Sequence, residues 1–290
     1  MSRFSKFPWL NVLLFLLTLF TTLAWGALHW MGFYHPEASP REMLEAFKTL
    51  RFLKMGAPFS FSLLFILLSH EMGHYLAARH YGVDTTLPYF IPAPNLLGTF
   101  GAVIRIKSPV PSRRALFDIG IAGPLAGFFV TLPFLLYGLS KALVLKSPPT
   151  GGIFLGDPLL LKILYRFYFP GVSPETVVIH PVGLAAWVGL FVTSLNLLPV
   201  GQLDGGHIAY AALGREADKL SLALFAFLLY LGIFKWAGWL IWDLLLIFLG
   251  IRHPHFPYPD RLDFRRKLLA LIALVVFLLT FIPVPISFKG

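Results

Sequence analysis

"FSFSLLFILLSHEMGHYLAARH", residues 59–80, sets two histidines and a glutamate inside a run that otherwise reads as a membrane helix. An apolar run of this length can cross roughly 30 Å of hydrocarbon at about 1.5 Å per residue. Ionisable groups at that depth are costly unless something compensates them. The rest of the chain decides between a membrane helix and a buried core helix. Of 290 residues, 57% are hydrophobic and 13% charged, and mean hydropathy is +0.74, whereas a soluble domain carries about 25% charged residues. The composition therefore predicts an all-α polytopic membrane protein.

Apolar runs long enough to span occur at about 8–32, 57–82, 115–138 and 181–199. The stretch 219–251 is too long for one ordinary span, and "KWAG", residues 235–238, divides it into two. With a last run near 268–284 the count is seven; six, with one long tilted helix, is the alternative. The first run exceeds the roughly 7–15 residues of a signal-peptide core and lacks a small-residue cleavage site, so it reads as a retained span. The net charge of +10 is assigned to lipid headgroups and cytoplasmic loops, with membrane lipid and not nucleic acid as the partner. A cytoplasmic N-terminus ("MSRFSK") would put "RIKSPVPSRR" (105–114) and "RLDFRRK" (261–267) on the same side. "PREMLEAFKTLRFLK", residues 40–54, reads either as an amphipathic surface helix or as a connector. The loops 33–56 and 139–180 are too short for an ordinary domain of about 50 residues or more, so residues 1–290 are expected to form one membrane-embedded domain.

His70 and His74 stand four apart, so on a helix they share a face and can reach one metal. Glu71 is placed to touch a water on that metal without ligating it. H-E-x-x-H is the pattern of zinc hydrolases, in which the metal acidifies its water and the glutamate takes the proton. Such a histidine pair could also form a buried polar cluster, ligate haem or relay protons, but none of these needs Glu71 at that spacing. The chain has no cysteine, so nitrogen and oxygen must supply every ligand.

A catalytic zinc takes three protein ligands and keeps one position open. "NLLPVGQLDGGH", residues 196–207, offers Asp204, with Pro199 ending the preceding span and Gly201, Gly205 and Gly206 giving backbone freedom. Taken alone, this stretch reads as a turn with Asp204 capping the next helix. Taken with HEMGH, it resembles the site-2 protease family of intramembrane metalloproteases, whose signatures are H-E-x-x-H and N-x-x-P-x-x-x-L-D-G. Both stand intact, as His70 to His74 and as Asn196 through Pro199 to Leu203, Asp204 and Gly205. The resemblance covers about 57–215 as a catalytic core, leaving extra C-terminal helices at about 219–284.

The resemblance implies one zinc per chain on His70, His74 and Asp204, with Glu71 activating water. It also matches Asn196, whose amide could bond the substrate backbone or the developing oxyanion. "LLGTFGAVIRIKSP", residues 96–109, resembles the G-x-F-G-A element of the chloroplast and cyanobacterial-type branch. Its glycines permit a re-entrant loop or β-hairpin near the active site, and its edge could pair with an extended substrate or merely plug the cavity. "DIGIAGPLAGF", residues 118–128, resembles the family's third-span A-G-P-x-A motif and suits tight helix packing.

Asp118 and Asp243 are expected at interfaces or internally paired. His80, His180 and His207 are spare; His207, next to the LDGG turn, could support the metal site but reads best as a helix-start residue. The activity implied is intramembrane zinc endopeptidase action on a single-span membrane protein, such as an anti-sigma factor, in a bacterial or archaeal plasma membrane. The loops leave no room for a PDZ domain. Rival readings are a metal-ion or proton transporter using the same residues, a prenyl-protein protease, which would need a downstream glutamate ligand on a helix, and an inactive scaffold.

Overall fold

A computed structural model describes residues 8–149, 151–254 and 260–289. The N-terminal "MSRFSK" therefore lies outside the described residues. The chain is mostly helical. It opens with α1 (Trp9–Tyr34), α2 (Pro40–Phe47) and α3 (Arg51–His80), then the strands β1 (Tyr89–Pro92) and β2 (Thr99–Val103). α4 (Arg113–Ser140) follows, then β3 (Leu143–Val144), β4 (Gly152–Leu155), α5 (Leu159–Tyr168) and β5 (Val177–Val178). The second half holds α6 (Pro181–Leu197), α7 (Asp204–Leu213), α8 (Ala217–Phe234), α9 (Gly238–Leu249), α10 (Phe264–Thr280) and β6 (Ile286–Lys289).

Among the described residues, four helices are long and apolar enough to cross a membrane: α1, α3, α4 and Asp204–Phe234, in which α7 and α8 run on through a short 3₁₀ turn. By length and composition the chain is a multi-pass membrane protein. Four of the expected seven thus reach that length, and the remaining apolar runs form shorter helices than their sequence length suggests. α6 stops at Leu197, two residues before Pro199, and the 12 residues of α9 extend only about 18 Å. The break at Lys235–Ala237 falls where "KWAG" placed it. The segment 40–54 is divided instead of forming one surface helix. Ser39 and Glu42 cap α2 reciprocally, and α3 already begins at Arg51.

α3 lies between α1 and α4, and α4 packs in turn on α6 and α7. Small residues allow these approaches: Cβ atoms at Gly56 or Gly138 would lie 2.0 Å from Leu23 O and 2.2 Å from the Gly183 Cα. The core formed there includes Phe59, Leu63, Phe117, Leu135, Ala185 and Leu190. The outer faces of α1, α8, α9 and α10 expose leucine, isoleucine and phenylalanine, as lipid contact requires.

Beyond α3 the chain turns at Gly82 (φ 67°), where Val83 N–H bonds Ala78 O and Gly82 N–H bonds Arg79 O, the pattern of a glycine-ended helix. β1 and β2 then pair antiparallel, Tyr89 with Val103 and Phe90 with Ala102, with a bridge from Thr85 to Ile106. β3 pairs with β5, and β4 with β6, so the chain is not purely α.

Candidate metal centre

His70, Glu71 and His74 are buried two to three turns before the end of α3. Helix α7 brings the third donor. Its first residue is Asp204, so the carboxylate sits on a helix terminus and not on a free loop, and Leu203, not Asp204, holds the N-cap position. Gly205 and Gly206 are helical. Their lack of a side chain serves close approach instead of backbone freedom, since a Cβ at Gly205 would lie 2.1 Å from Leu197 O. Gly201 alone of the three has a positive φ, 55°.

The Nε2 atoms of His70 and His74 are 3.1 Å apart, and Asp204 Oδ2 lies 3.4 Å and 3.2 Å from them respectively. Three corners of a tetrahedral site with bonds of about 2.1 Å would be about 3.4 Å apart, so these donors fit a zinc-sized ion. They also form the one group of three or more potential metal-binding side chains among the described residues. His74 Nδ1–H donates to Ile119 O at 2.7 Å, which leaves Nε2 free to ligate. Asn196 Nδ2 lies 3.3 Å from His70 Nε2. Glu71, one residue from a ligand, faces the Ile104 backbone N–H. All five side chains line one cavity of about 270 Å³, whose far wall is Ala102 to Ile104 and Ile106. Every predicted site residue is thus brought together.

Several neighbours were not assigned to the site from the sequence. A Cβ on Gly123 would lie 2.1 Å from His74 Nε2, and one on Gly127 would lie 3.2 Å from His70 Cβ. "DIGIAGPLAGF" therefore does more than pack helices, because it leaves room for both ligand rings. The signal was present as spacing: glycines four apart on α4 face histidines four apart on α3. His207, in the first turn of α7, lines the cavity and pairs through Nδ1 with His253 Nε2 at 2.8 Å, while His253 stacks on Tyr210. His253 carried no sequence signal. His80 ends α3, and His180 caps α6 by accepting from Val182 N–H. Asp118 is paired internally, with Arg266. Asp243 is buried but not internally paired, since neither carboxylate oxygen has a hydrogen-bond partner among the described residues.

Residues 58–236 match the family model described as Peptidase family M50. The chain is 36% identical over 230 residues to "Probable zinc metalloprotease EGY1, chloroplastic" of Oryza sativa subsp. japonica, covering 72% of this chain and 38% of that protein. It is 33% identical over 265 residues to "Probable zinc metalloprotease EGY2, chloroplastic" of Arabidopsis thaliana, covering 86% and 46%. For the Arabidopsis thaliana EGY1 protein the identity is 35% over 249 residues, covering 80% and 44%. The chain thus spans less than half the length of each of these relatives. They are named as chloroplastic, which lends no support to a bacterial or archaeal plasma membrane here. With both signatures intact, the metal donors converged and the family matched over more than half its length, the chain belongs to peptidase family M50, the site-2 protease family.

Proposed function

We propose that the chain forms the catalytic part of an intramembrane zinc-dependent endopeptidase. The observation that carries this reading is the convergence of His70, His74 and Asp204 on one point, with Glu71 beside it in the same cavity. Zinc, when bound there, supplies Lewis acidity to the scissile carbonyl and to the attacking water. The Glu71 carboxylate takes the proton of that water and passes it to the leaving amine. Asn196 offers its amide N–H to the developing oxyanion. The wall from Ala102 to Ile106 presents a strand edge along which a substrate backbone lies extended, since helical carbonyls are already bonded. The substrate class is a single-span membrane protein, of which an anti-sigma factor is one example, and helix-breaking residues near its cut site promote cleavage. In this reading α6, α9 and α10 act as shorter crossings that complete the bundle. The transport reading finds no support in the comparisons.

The test is zinc per chain in purified protein, followed by cleavage of a reconstituted membrane-spanning reporter. About one zinc in the wild type, lost in His70→Ala and Asp204→Ala, joins the two distant motifs into one site. Glu71→Gln should keep the metal and lose cleavage by at least about a hundredfold. Zinc content indifferent to Asp204, or zinc uptake into vesicles without cleavage, would sink the protease reading.

A further inference from the structure

Three polar side chains of α1 each bond backbone carbonyls of the β1–β2 segment. Asn11 Nδ2 donates to Leu87 O and Pro88 O, both at 2.9 Å, at the base of the hairpin. Near its tip, His29 Nε2–H donates to Leu96 O at 2.8 Å. Between these, the Thr21 hydroxyl lies 2.6 Å from Gly98 O, closer than the 3.0 Å to Leu17 O of its own helix. His29 follows Asn11 by eighteen residues, about 27 Å of helix. The grip therefore runs across most of the roughly 30 Å hydrocarbon thickness. Where water is scarce, these donors have few other acceptors and the carbonyls few other donors.

The fit is close in other respects. Gly98 has φ 75°, and a Cβ there would lie 2.6 Å from Thr21 O, so the turn rests on the α1 backbone itself. Phe15 meets Phe90 edge to face at 5.2 Å. α1 is in turn fixed to α3 by the bond between Thr22 and Ser60 hydroxyls, 2.7 Å, in the N-terminal half of the same helix that carries Glu71. A chain of direct contacts thus runs from α3 through α1 and β1 to β2, and β2 returns to wall the cavity facing Glu71. A strand that slips by one residue turns its side chains to the opposite face.

We infer that Asn11, Thr21 and His29 are positioning residues: α1 is a track that sets the depth and register of β2 beside Glu71. The consequence for catalysis rests on the protease reading, in which β2 receives the substrate. The chain has no cysteine, so spin labels can be placed at Phe100→Cys on β2 and Leu76→Cys on α3, both exposed positions. In lipid nanodiscs, Thr21→Val combined with His29→Leu should shift or broaden the distance distribution between the labels. Restoring a hydroxyl, with Thr21→Ser in the His29 background, should narrow it again. In the unlabelled chain the double variant should raise KM for a membrane-spanning peptide roughly tenfold, the equivalent of one or two lost hydrogen bonds, with kcat changed less than about threefold. Zinc content should stay at the wild-type level. An unchanged distance distribution overturns the inference, as does loss of zinc alongside the shift, which would mark general unfolding. If even the wild type cleaves nothing, the protease reading fails, while the distance measurement still decides the role of α1.

Discussion

Gly123 shows how tightly single atoms constrain the metal centre. A methyl group there would sit 2.1 Å from His74 Nε2, inside the space the ligand ring occupies. Gly123→Ala should therefore weaken zinc binding by roughly 10–100-fold, the range found when the surroundings of a ligand are disturbed. Competition with a chelator of known affinity measures this, and wild-type affinity in the variant would show that the ring can move aside. Overpacking should also cost about 1–3 kcal/mol of stability. Asp243 marks the opposite situation, a buried carboxyl on α9 with neither oxygen bonded among the described residues. It shares the buried face of α9 with Trp239 and Leu246.

Among the elements, the segment from β4 into α5 carries an acid outside the spans. Burial pushes the Asp157 carboxyl up to about 6 from its ordinary 3.8. The folded state then binds this proton more tightly than the unfolded state does. Its stabilising effect is full below about pH 4 and is lost as pH rises to about 6. Hydrogen exchange through 152–169, corrected for the intrinsic pH dependence, should show weaker protection at pH 7 than at pH 5. Asp157→Asn should flatten that difference, and an unaltered profile would remove Asp157 as its cause. α4 shows how a distant segment completes an element. Ser112 caps Ala115 N–H, and the Asp260 carboxylate accepts from Arg113 and Arg114 N–H at 3.0 Å.

Across the whole molecule, the C-terminal α10 is fastened to the two helices that frame the metal. Arg266 bonds both Asp118 oxygens, at 2.9 and 2.6 Å, and the Tyr81 hydroxyl at 3.1 Å, while Asp263, which caps α10, also holds the guanidinium. One fork thereby ties the end of α3 to the start of α4. Arg266→Met should lower stability by about 1–3 kcal/mol, because Asp118 loses its charged partner, with partial exposure favouring the lower end. Arg266→Lys should recover only part, since an ammonium cannot bridge two oxygens and a phenol in one plane. Thermal unfolding in detergent ranks the three chains. Equal midpoints would assign the hold of α10 to apolar packing around Ala273 and Val276.

The sequence by itself determined what is local or cumulative. Helical spacing puts His70 and His74 on one face whatever surrounds them, and the apolar excess demands a membrane. The motif around Asn196 and Asp204 was legible through its likeness to a family, because no local rule links it to a helix so far upstream. Tertiary structure decided which apolar helices meet, how many are long enough to cross, and what the small residues are for. In lipid one apolar helix face resembles another, so composition cannot choose partners, and the choice falls to close backbone approach and scarce polar contacts. Gly123 against His74, α1 against the hairpin and Arg266 against Asp118 are such contacts, and each joins residues whose pairing appears only once the chain is folded.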